Sequence, residues 1–324
     1  FADDAARGTK IYRANALPAL IHRPLDFYVD VPVQLIVNLD DPFVLPHVYD
    51  DTARWVPRLW RRDLRAKHWS PFTHPQVLAT AVTELVEHLD GKPAARALLR
   101  AQVGRPQKDF GDTLVSVTGA GSGIGRETAL AFARDGAELV ISDIDEAGLK
   151  DTAAKIGALG GIAHPYVLDV SDADAVERFA DEVCAAHGVP DIVVNNAGIG
   201  VAGAAYCTSK AAVYMFSDCL RAELDSAGIG LTTICPGIIN TNIVSATEMI
   251  APSGKRAAVA TRRAQLENMF DRRGYGPDKV AKAIVSAVKK DKPIRPVTPE
   301  AYLLYGTSKV LPQGMRSIAR AGVV

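Results

Sequence analysis

An α/β fold built on a doubly wound parallel sheet is predicted by three features of this 324-residue chain. From about Gly111 onward, short β-branched runs alternate with longer stretches at helical spacing, the βαβ rhythm of a parallel sheet covered on both faces. The first run, Leu114 to Val117, passes directly into a glycine-rich turn and then a helical stretch, Arg126 to Arg134. The second, Leu139 to Ile141, leads to Asp143, 18 positions past the last glycine of the turn. Further strands are expected at His164–Leu168, Ile192–Val194 and Leu231–Ile234. One helix is expected to begin near Asp172, where Val176, Phe179 and Val183 recur at helical spacing, and another near Tyr206.

The turn itself reads Thr118-Gly-Ala-Gly-Ser-Gly-Ile-Gly125. A dinucleotide pyrophosphate must approach backbone N–H groups closely. Gly119 and Gly123 remove side chains from its path, and Gly125 lets the helix pack against the strand. Gly121, Ser122 and Ile124 complete the turn. Asp143, followed by Ile144, is placed for the ribose hydroxyls. A carboxylate there repels a 2′-phosphate, Ser122 offers no countercharge, and Arg126 lies beyond the last glycine, so the expected cofactor is NAD rather than NADP.

Tyr206-Cys-Thr-Ser-Lys210 opens a helix, and its i, i+4 spacing places phenol and ammonium on one face, a turn apart. The ammonium favours the phenolate, and the same lysine can hydrogen-bond ribose hydroxyls. Such a pair suits proton transfer during alcohol oxidation.

From Gly111 to Asn242 the order of these motifs resembles that of the short-chain dehydrogenase/reductase family, a Rossmann-type fold. The resemblance implies that Asp169 and Val170, in Leu-Asp-Val, contact the adenine. Asn196, Ala197 and Gly198 belong to the Asn-Asn-Ala-Gly motif of strand four, Tyr206 and Lys210 are the catalytic pair, and Pro236, Gly237 and Thr241 lie near the nicotinamide. It also implies hydride exchange between NAD and a secondary alcohol or ketone, with Tyr206 as acid/base, and a homo-oligomer.

The family places a catalytic serine on strand five and an asparagine on the preceding helix, both between the Asn-Asn-Ala-Gly motif and the tyrosine. Here only Ile199 to Ala205 separate Gly198 from Tyr206. Roughly fifty to sixty residues stand there in the family, enough for a further helix and strand. Removing a central strand would expose backbone edges and apolar surface. The expectation is therefore that the sequence joins residues flanking an unrecorded segment, with a seam near Ala202 to Ala204. Ser209 and Ser122 are poor substitutes for the serine, one lying within a helix and the other within the phosphate turn. A true absence of the serine would leave a cofactor-binding scaffold as the alternative.

Residues 1–90 are organised differently and are joined to the dehydrogenase-like region, 111–324, by an expected linker at 91–110 containing Gly91-Lys-Pro and Arg105-Pro-Gln-Lys108. Val33 to Asn38 reads as a strand ending at Asp40-Asp41-Pro42. A helix-like segment, Lys67-His68-Trp69 and an amphipathic helix from roughly Pro75 to Leu89 follow. This stretch resembles the C-terminal third of an α/β-hydrolase, in which an acid follows one late strand and the catalytic histidine the next; Asp41 and His68 take those positions. Tyr12-Arg13-Ala14-Asn15 resembles the cap segment of epoxide hydrolases, whose tyrosine polarises the epoxide oxygen. No Gly-x-Ser-x-Gly or equivalent aspartate loop occurs, because in that fold the nucleophile lies upstream. A working acid–histidine pair and a vestigial or incompletely recorded unit both remain open. The order of the two regions resembles bacterial, including mycobacterial, fusions of epoxide hydrolase and short-chain dehydrogenase. That implies a hydrophobic, lipid-derived substrate.

Composition bounds these readings. The 37 basic and 37 acidic residues balance, giving no electrostatic reason to expect nucleic acid. The Lys289-Lys-Asp-Lys292 cluster reads as the solvated end of a helix. The four cysteines lack metal-ligand spacing, so no metal and a reducing, cytoplasmic compartment are expected. No apolar run approaches the roughly 20 residues of a transmembrane segment. A chain beginning with Phe1 is expected to be part of a longer polypeptide. Tyr302, Leu303, Val310, Leu311 and Met315 fit either an apolar substrate entrance or membrane contact, or ordinary core or dimer packing.

Overall fold

The computed structural model describes residues 10, 14, 28–199, 204–225, 227–237, 239–240 and 275–310, with the side chains of 204–206 outside the description. Tyr12, Thr241 and most of the Ala202–Ala204 seam lie outside the described residues. Two compact units divide the chain, residues 1–106 and 107–324.

In the first unit, β1 (Val33–Asn38) and β2 (Leu59–Leu64) pair in parallel, with Val33 opposite Leu59 and Asn38 opposite Leu64. The segment between them, read as helix-like, contains two 3-10 turns, Pro46–Tyr49 and Thr52–Arg54. β2 has the charged sequence Leu-Trp-Arg-Arg-Asp-Leu, which carries no simple apolar alternation. Its charges are satisfied laterally instead. Arg61 pairs with Asp50 and Asp63, both at 2.9 Å, and Arg62 reaches Glu84 at 2.5 Å and Gln34 at 3.0 Å. The helices α1 (Ser70–Thr73), α2 (Pro75–Leu89) and α3 (Arg96–Ala101) follow. The expected 91–110 linker is thus partly structured: Leu98 and Ala101 of α3 pack against Trp60, and the Val103 N–H donates to the Leu59 carbonyl. Burying those side chains, at about 1.5–3 kcal/mol for a large one, draws α3 into the first unit.

The second unit contains β3 (Leu114–Thr118), β4 (Glu138–Asp143), β5 (Ala163–Val167) and β6 (Ile192–Val194), a parallel sheet in the order β5-β4-β3-β6. The strands sit within one or two residues of their expected positions. Helices α4 (Gly123–Arg134), α5 (Glu146–Ala158) and α6 (Ala173–His187) connect them. Asp172 caps α6, its carboxylate accepting the Ala175 N–H at 3.1 Å. Further on come α7 (Ala204–Asp225), β7 (Thr233–Cys235), α8 (Pro277–Lys289), β8 (Ile294–Pro296) and α9 (Pro299–Val310).

Both faces of the two central strands, β3 and β4, are covered. Val115, Val117, Leu139 and Ile141 pack with Phe132, Leu149, Ile156 and, from α8, Val280 and Ile284. Leu114 and Val140 face the other way, against Val183 and Phe179 of α6 and Tyr166 of β5. β7 and β8 form a separate parallel pair, and among the described residues β6 is paired only with β3. Val193 of β6 is 58% exposed, and Val213, Met215 and Phe216 of α7 are exposed as well. Lys289 is more than a solvated helix end: it donates to Asp109 at 2.5 Å and Asp135 at 2.9 Å and lies over the Phe110 ring. These contacts tie the end of α8 to the start of the sheet. Among the described residues no helix is long and apolar enough to cross a membrane.

Candidate active site

Thr118, Asp143, Asp169 and Asn196 all lie at or just beyond the carboxyl ends of parallel strands, where ligands bind in open α/β sheets. The glycine turn between β3 and α4 is clasped from the side by β6. The Thr118 hydroxyl accepts the N–H groups of Asn196 and Ala197, each at 3.1 Å. The Asn196 side-chain amide donates to the carbonyls of Thr118 at 3.0 Å and Gly119 at 3.2 Å. Gly119 has φ +67°, and a Cβ there would stand 2.8 Å from the Ala197 Cα. A Cβ on Gly125 would stand 2.0 Å from the Gly119 carbonyl oxygen. Both positions therefore require glycine sterically as well as chemically.

Below the turn, Asp143 accepts the Gly121 N–H on Oδ2 at 2.8 Å and the Asp145 N–H on Oδ1 at 3.0 Å, while Ile144 is exposed. Ser122 is the N-cap of α4 without a capping side-chain hydrogen bond. The helix's first N–H groups are consequently placed for an anion; Gly121 and Gly123 carry no side chain there, and Ile124 packs against the core. This geometry fits a dinucleotide.

Two further residues hold the turn from behind. Arg126 donates to the Gly121 carbonyl and to the Thr152 hydroxyl at 3.0 Å, and pairs with Asp151 at 3.1 Å. The buried Thr152 hydroxyl lies 2.9 Å from the carbonyls of both Ala120 and Gly148, to one of which it donates. Neither role was legible in sequence, since both residues are 26 positions apart and read only as parts of amphipathic helices.

Leu168 donates its N–H to the Asp143 carbonyl at 2.9 Å, bringing the Asp169-Val170 segment to the same sheet end. Hydrogen bonds from the Ser171 hydroxyl and N–H hold the Asp169 carboxyl below the usual carboxylate range. The Lys210 ammonium stands beside the strand-four motif, 3.5 Å from where a Cβ on Gly198 would lie. Tyr206 is in the first turns of α7, one turn before Lys210. Pro236 accepts the Thr298 N–H at 3.3 Å. Gly237 has φ +79°, and the buried Thr298 hydroxyl occupies the space its Cβ would need. Thr298 is another positioning residue without a sequence signal.

In the first unit, His68 Nδ1 and Asp41 Oδ2 are 2.8 Å apart. Asp41 is only 7% exposed and accepts the N–H groups of Phe43 at 2.8 Å and Val44 at 3.1 Å. Burial pushes its carboxyl up, but the hydrogen bonds to His68, Phe43 and Val44 outweigh burial and hold it below the usual range. Phe43 and Trp69 stand edge-on to the imidazole, with ring centroids at 5.1 and 5.3 Å. β1 leads to the acid and β2 to the histidine, the order expected from the sequence.

Residues 113–204 and 200–249 match the short chain dehydrogenase family. Over these residues the chain is similar to short-chain dehydrogenases. The whole chain is also 58% identical to the "Probable oxidoreductase EphD" of Mycobacterium tuberculosis over 383 aligned positions, covering 100% of this chain and 64% of that relative. The chain thus spans less than two thirds of the relative's length. Mouse (Mus musculus) "Estradiol 17-beta-dehydrogenase 11" is 40% identical over 103 residues, 32% of this chain and 35% of that protein. A short-chain dehydrogenase/reductase from Burkholderia phymatum, solved in complex with NAD, superposes with a TM-score of 0.54 at 22% identity, covering 62% of this chain and 96% of that one. The dehydrogenase domain shares that Rossmann-type fold.

Proposed function

We propose that the second unit is an NAD-dependent oxidoreductase that exchanges hydride with a hydrophobic, lipid-derived secondary alcohol or ketone. The observation carrying this reading is the Asp143 carboxylate hydrogen-bonded to a glycine-rich turn that leads into a helix whose N-cap makes no side-chain hydrogen bond. When bound, NAD supplies the hydride acceptor. The α4 N–H groups would hold the pyrophosphate, Asp143 would accept from ribose hydroxyls, and Asp169 and Val170 would border the adenine. Lys210 would hold the nicotinamide ribose and Tyr206 would take the proton from the substrate hydroxyl, with Pro236, Gly237 and Thr241 assigned to the nicotinamide end. Arg126 is committed to Gly121, Asp151 and Thr152, so it offers no partner for a 2′-phosphate. The family reading adds a cytoplasmic location and a homo-oligomer. Titration of NAD and NADP tests the proposal: NAD binds more tightly, and equal or tighter NADP binding would overturn the cofactor assignment.

The same reading requires a second donor to the substrate oxygen and a strand between β6 and β7. We infer that the cellular polypeptide carries roughly fifty further residues between Gly198 and Tyr206, sufficient for a helix and a serine-bearing strand. Three observations support this. The two family matches meet at 200–204, the 383 aligned positions exceed this chain's 324 residues by 59, and β6 and β7 belong to different sheets. Peptide mapping across Asn196 to Lys210 decides it. A peptide joining Gly198 to Tyr206 through Ile199–Ala205 alone would remove the inferred segment and favour a cofactor-binding scaffold.

A second reading rests on the Asp41–His68 pair. Within a longer protein that supplies a nucleophile, Asp41 orients the imidazole and His68 activates water, with Tyr12 polarising an epoxide oxygen. Epoxide hydrolysis by the full-length protein, lost in His68→Gln, is the expected result; retention of full activity would exclude the pair from that reaction.

A further inference from the structure

At the end of the sheet opposite the glycine turn, three metal-ligating side chains converge. Glu138 is the first residue of β4, His164 lies near the start of β5, and His187 ends α6. About 16 Å of strand separates Glu138 from Asp143 at the site end. His164 stands opposite Val140, on the face that also carries Tyr166 and is covered by α6. One prospective ligand atom from each of Glu138, His164 and His187 lies within 4.8 Å of the other two. The His164 Nε2 to Glu138 Oε1 distance is 2.8 Å, and the two imidazoles stack with centroids 3.8 Å apart and planes 24° from parallel.

We propose that Glu138, His164 and His187 bind one divalent transition-metal ion of the zinc class. Two imidazoles and a carboxylate form a borderline donor set that suits zinc, whereas calcium and magnesium favour all-oxygen shells. Zinc bonds of about 2.0–2.1 Å require donors roughly 3.3 Å apart in a tetrahedron, so the His164–Glu138 contact opens by roughly 0.5 Å when the ion enters. The backbone elements can stay in place, but the two rings must turn out of their stack, since each nitrogen lone pair lies in its own ring plane. The Tyr166 hydroxyl, 2.8 Å from His187 Nε2, orients that ring as an outer partner does in metal centres. His187 also brings the ion to the C-terminal end of α6, where backbone carbonyls carry partial negative charge.

The side chains of His164 and Glu138 retain 28% and 24% exposure, leaving access for water to complete the shell. Three anchors on β4, β5 and α6 would pin the outer strand β5 to the helix that covers it. This is a structural role, physically separate from hydride transfer and independent of the dehydrogenase reading.

Metal-stripped full-length chain should bind one equivalent of Zn²⁺, and its melting temperature should rise on binding. Co²⁺ in place of Zn²⁺ should give visible absorption bands without the near-ultraviolet charge transfer of a thiolate ligand. His187→Gln and Glu138→Gln should each weaken Zn²⁺ binding at least about tenfold. Glu138→Gln retains an acceptor for His164 and, with circular dichroism of the metal-free proteins, separates ligand loss from misfolding. Cys184→Ser, three positions before His187, should leave affinity unchanged. Absence of Zn²⁺ binding, a thiolate band, dependence on Cys184, or unchanged affinity in both folded ligand variants would overturn the proposal.

Discussion

The two halves of the dehydrogenase unit differ in how completely their backbones are satisfied. Across residues 107–199, β3 and β4 are paired on both sides, their side chains are buried, and the strand ends converge on the glycine turn. Across 204–310, β7 and β8 stand as a separate pair, while α7 exposes Val213, Met215 and Phe216. Lys210 nevertheless lies beside Gly198 in the first half. A cofactor turn is built from contiguous sequence and two neighbouring strand ends. A reaction centre needs groups from the far side of the sheet as well, and it is there that the described architecture has its break.

The largest expected effect bears directly on that division. In the cellular polypeptide, Tyr206→Phe should lower turnover by roughly 10²–10⁴-fold, the span of general acid–base contributions, while NAD affinity stays nearly unchanged. Single-turnover hydride transfer and a fluorescence titration separate the two quantities. Equal loss of both would place Tyr206 in cofactor binding and erase the distinction between the halves.

Next in size is the turn itself. Gly125→Val would push side-chain atoms into the Gly119 carbonyl, already 2.0 Å from an added Cβ. The expected outcome is loss of measurable NAD binding with destabilisation of about 1–3 kcal/mol. Denaturant melts and NAD titration check this; near-native affinity would show that the turn can shift without cost to the site.

This contrast explains what could be read from sequence. β1, β6 and α2 appear at their expected bounds because β-branched runs and helical periodicity are local signals. β2 was hidden because Arg61, Arg62 and Asp63 break apolar alternation; Arg61 is met by Asp63 and Asp50, and Arg62 by Glu84 and Gln34, 22 and 28 positions away. The turn's glycines were legible from their spacing. Thr152, Arg126 and Thr298 were not: Arg126 and Thr152 meet each other across 26 residues and Thr152 reaches Ala120 across 32, while Thr298 fills space beside a glycine. Asp143, on which the proposed cofactor preference rests, stood out by its position after the second strand. The glutamate–histidine cluster was invisible because its members, spread over Glu138, His164 and His187, have no motif spacing and meet only once the strands pair and α6 folds across them.

A smaller, more selective change is expected from Asp143→Ala. Its carboxylate holds the Gly121 N–H and, in the proposed complex, would meet the ribose hydroxyls, so removing it should cut the NAD-over-NADP preference by roughly tenfold, about 1.4 kcal/mol. Parallel dissociation constants for the two cofactors test this, and an unchanged ratio would assign Asp143 to the turn alone.

Acid titration compares that site with the pair in the first unit. Asp41 has a lowered folded-state pKa, so its stabilising contribution is present above the unfolded carboxylate value and is lost as pH falls through the lower folded value. Asp41→Asn should therefore reduce stability near neutral pH and flatten its decline in acid, read from thermal melts of the full chain across that range. An unchanged pH slope would detach Asp41 from the stability of its turn.

The smallest expected effect tests whether the two units work separately. His68 follows β2 and is held by Asp41, Phe43 and Trp69, all within residues 1–106. Every dehydrogenase motif, from Thr118 to Thr241, lies within residues 107–324. His68→Ala removes a ring without disturbing the Asn196–Thr118 clasp, the Asp143 carboxylate or the Lys210 position. Nicotinamide-linked turnover should therefore remain within about twofold of the parent, less than 0.5 kcal/mol in activation free energy. Steady-state kinetics with matched circular dichroism provide the measurement. A tenfold fall with the fold intact would mean that the first unit contributes to hydride transfer, and the chemistry would have to be assigned to the two units together.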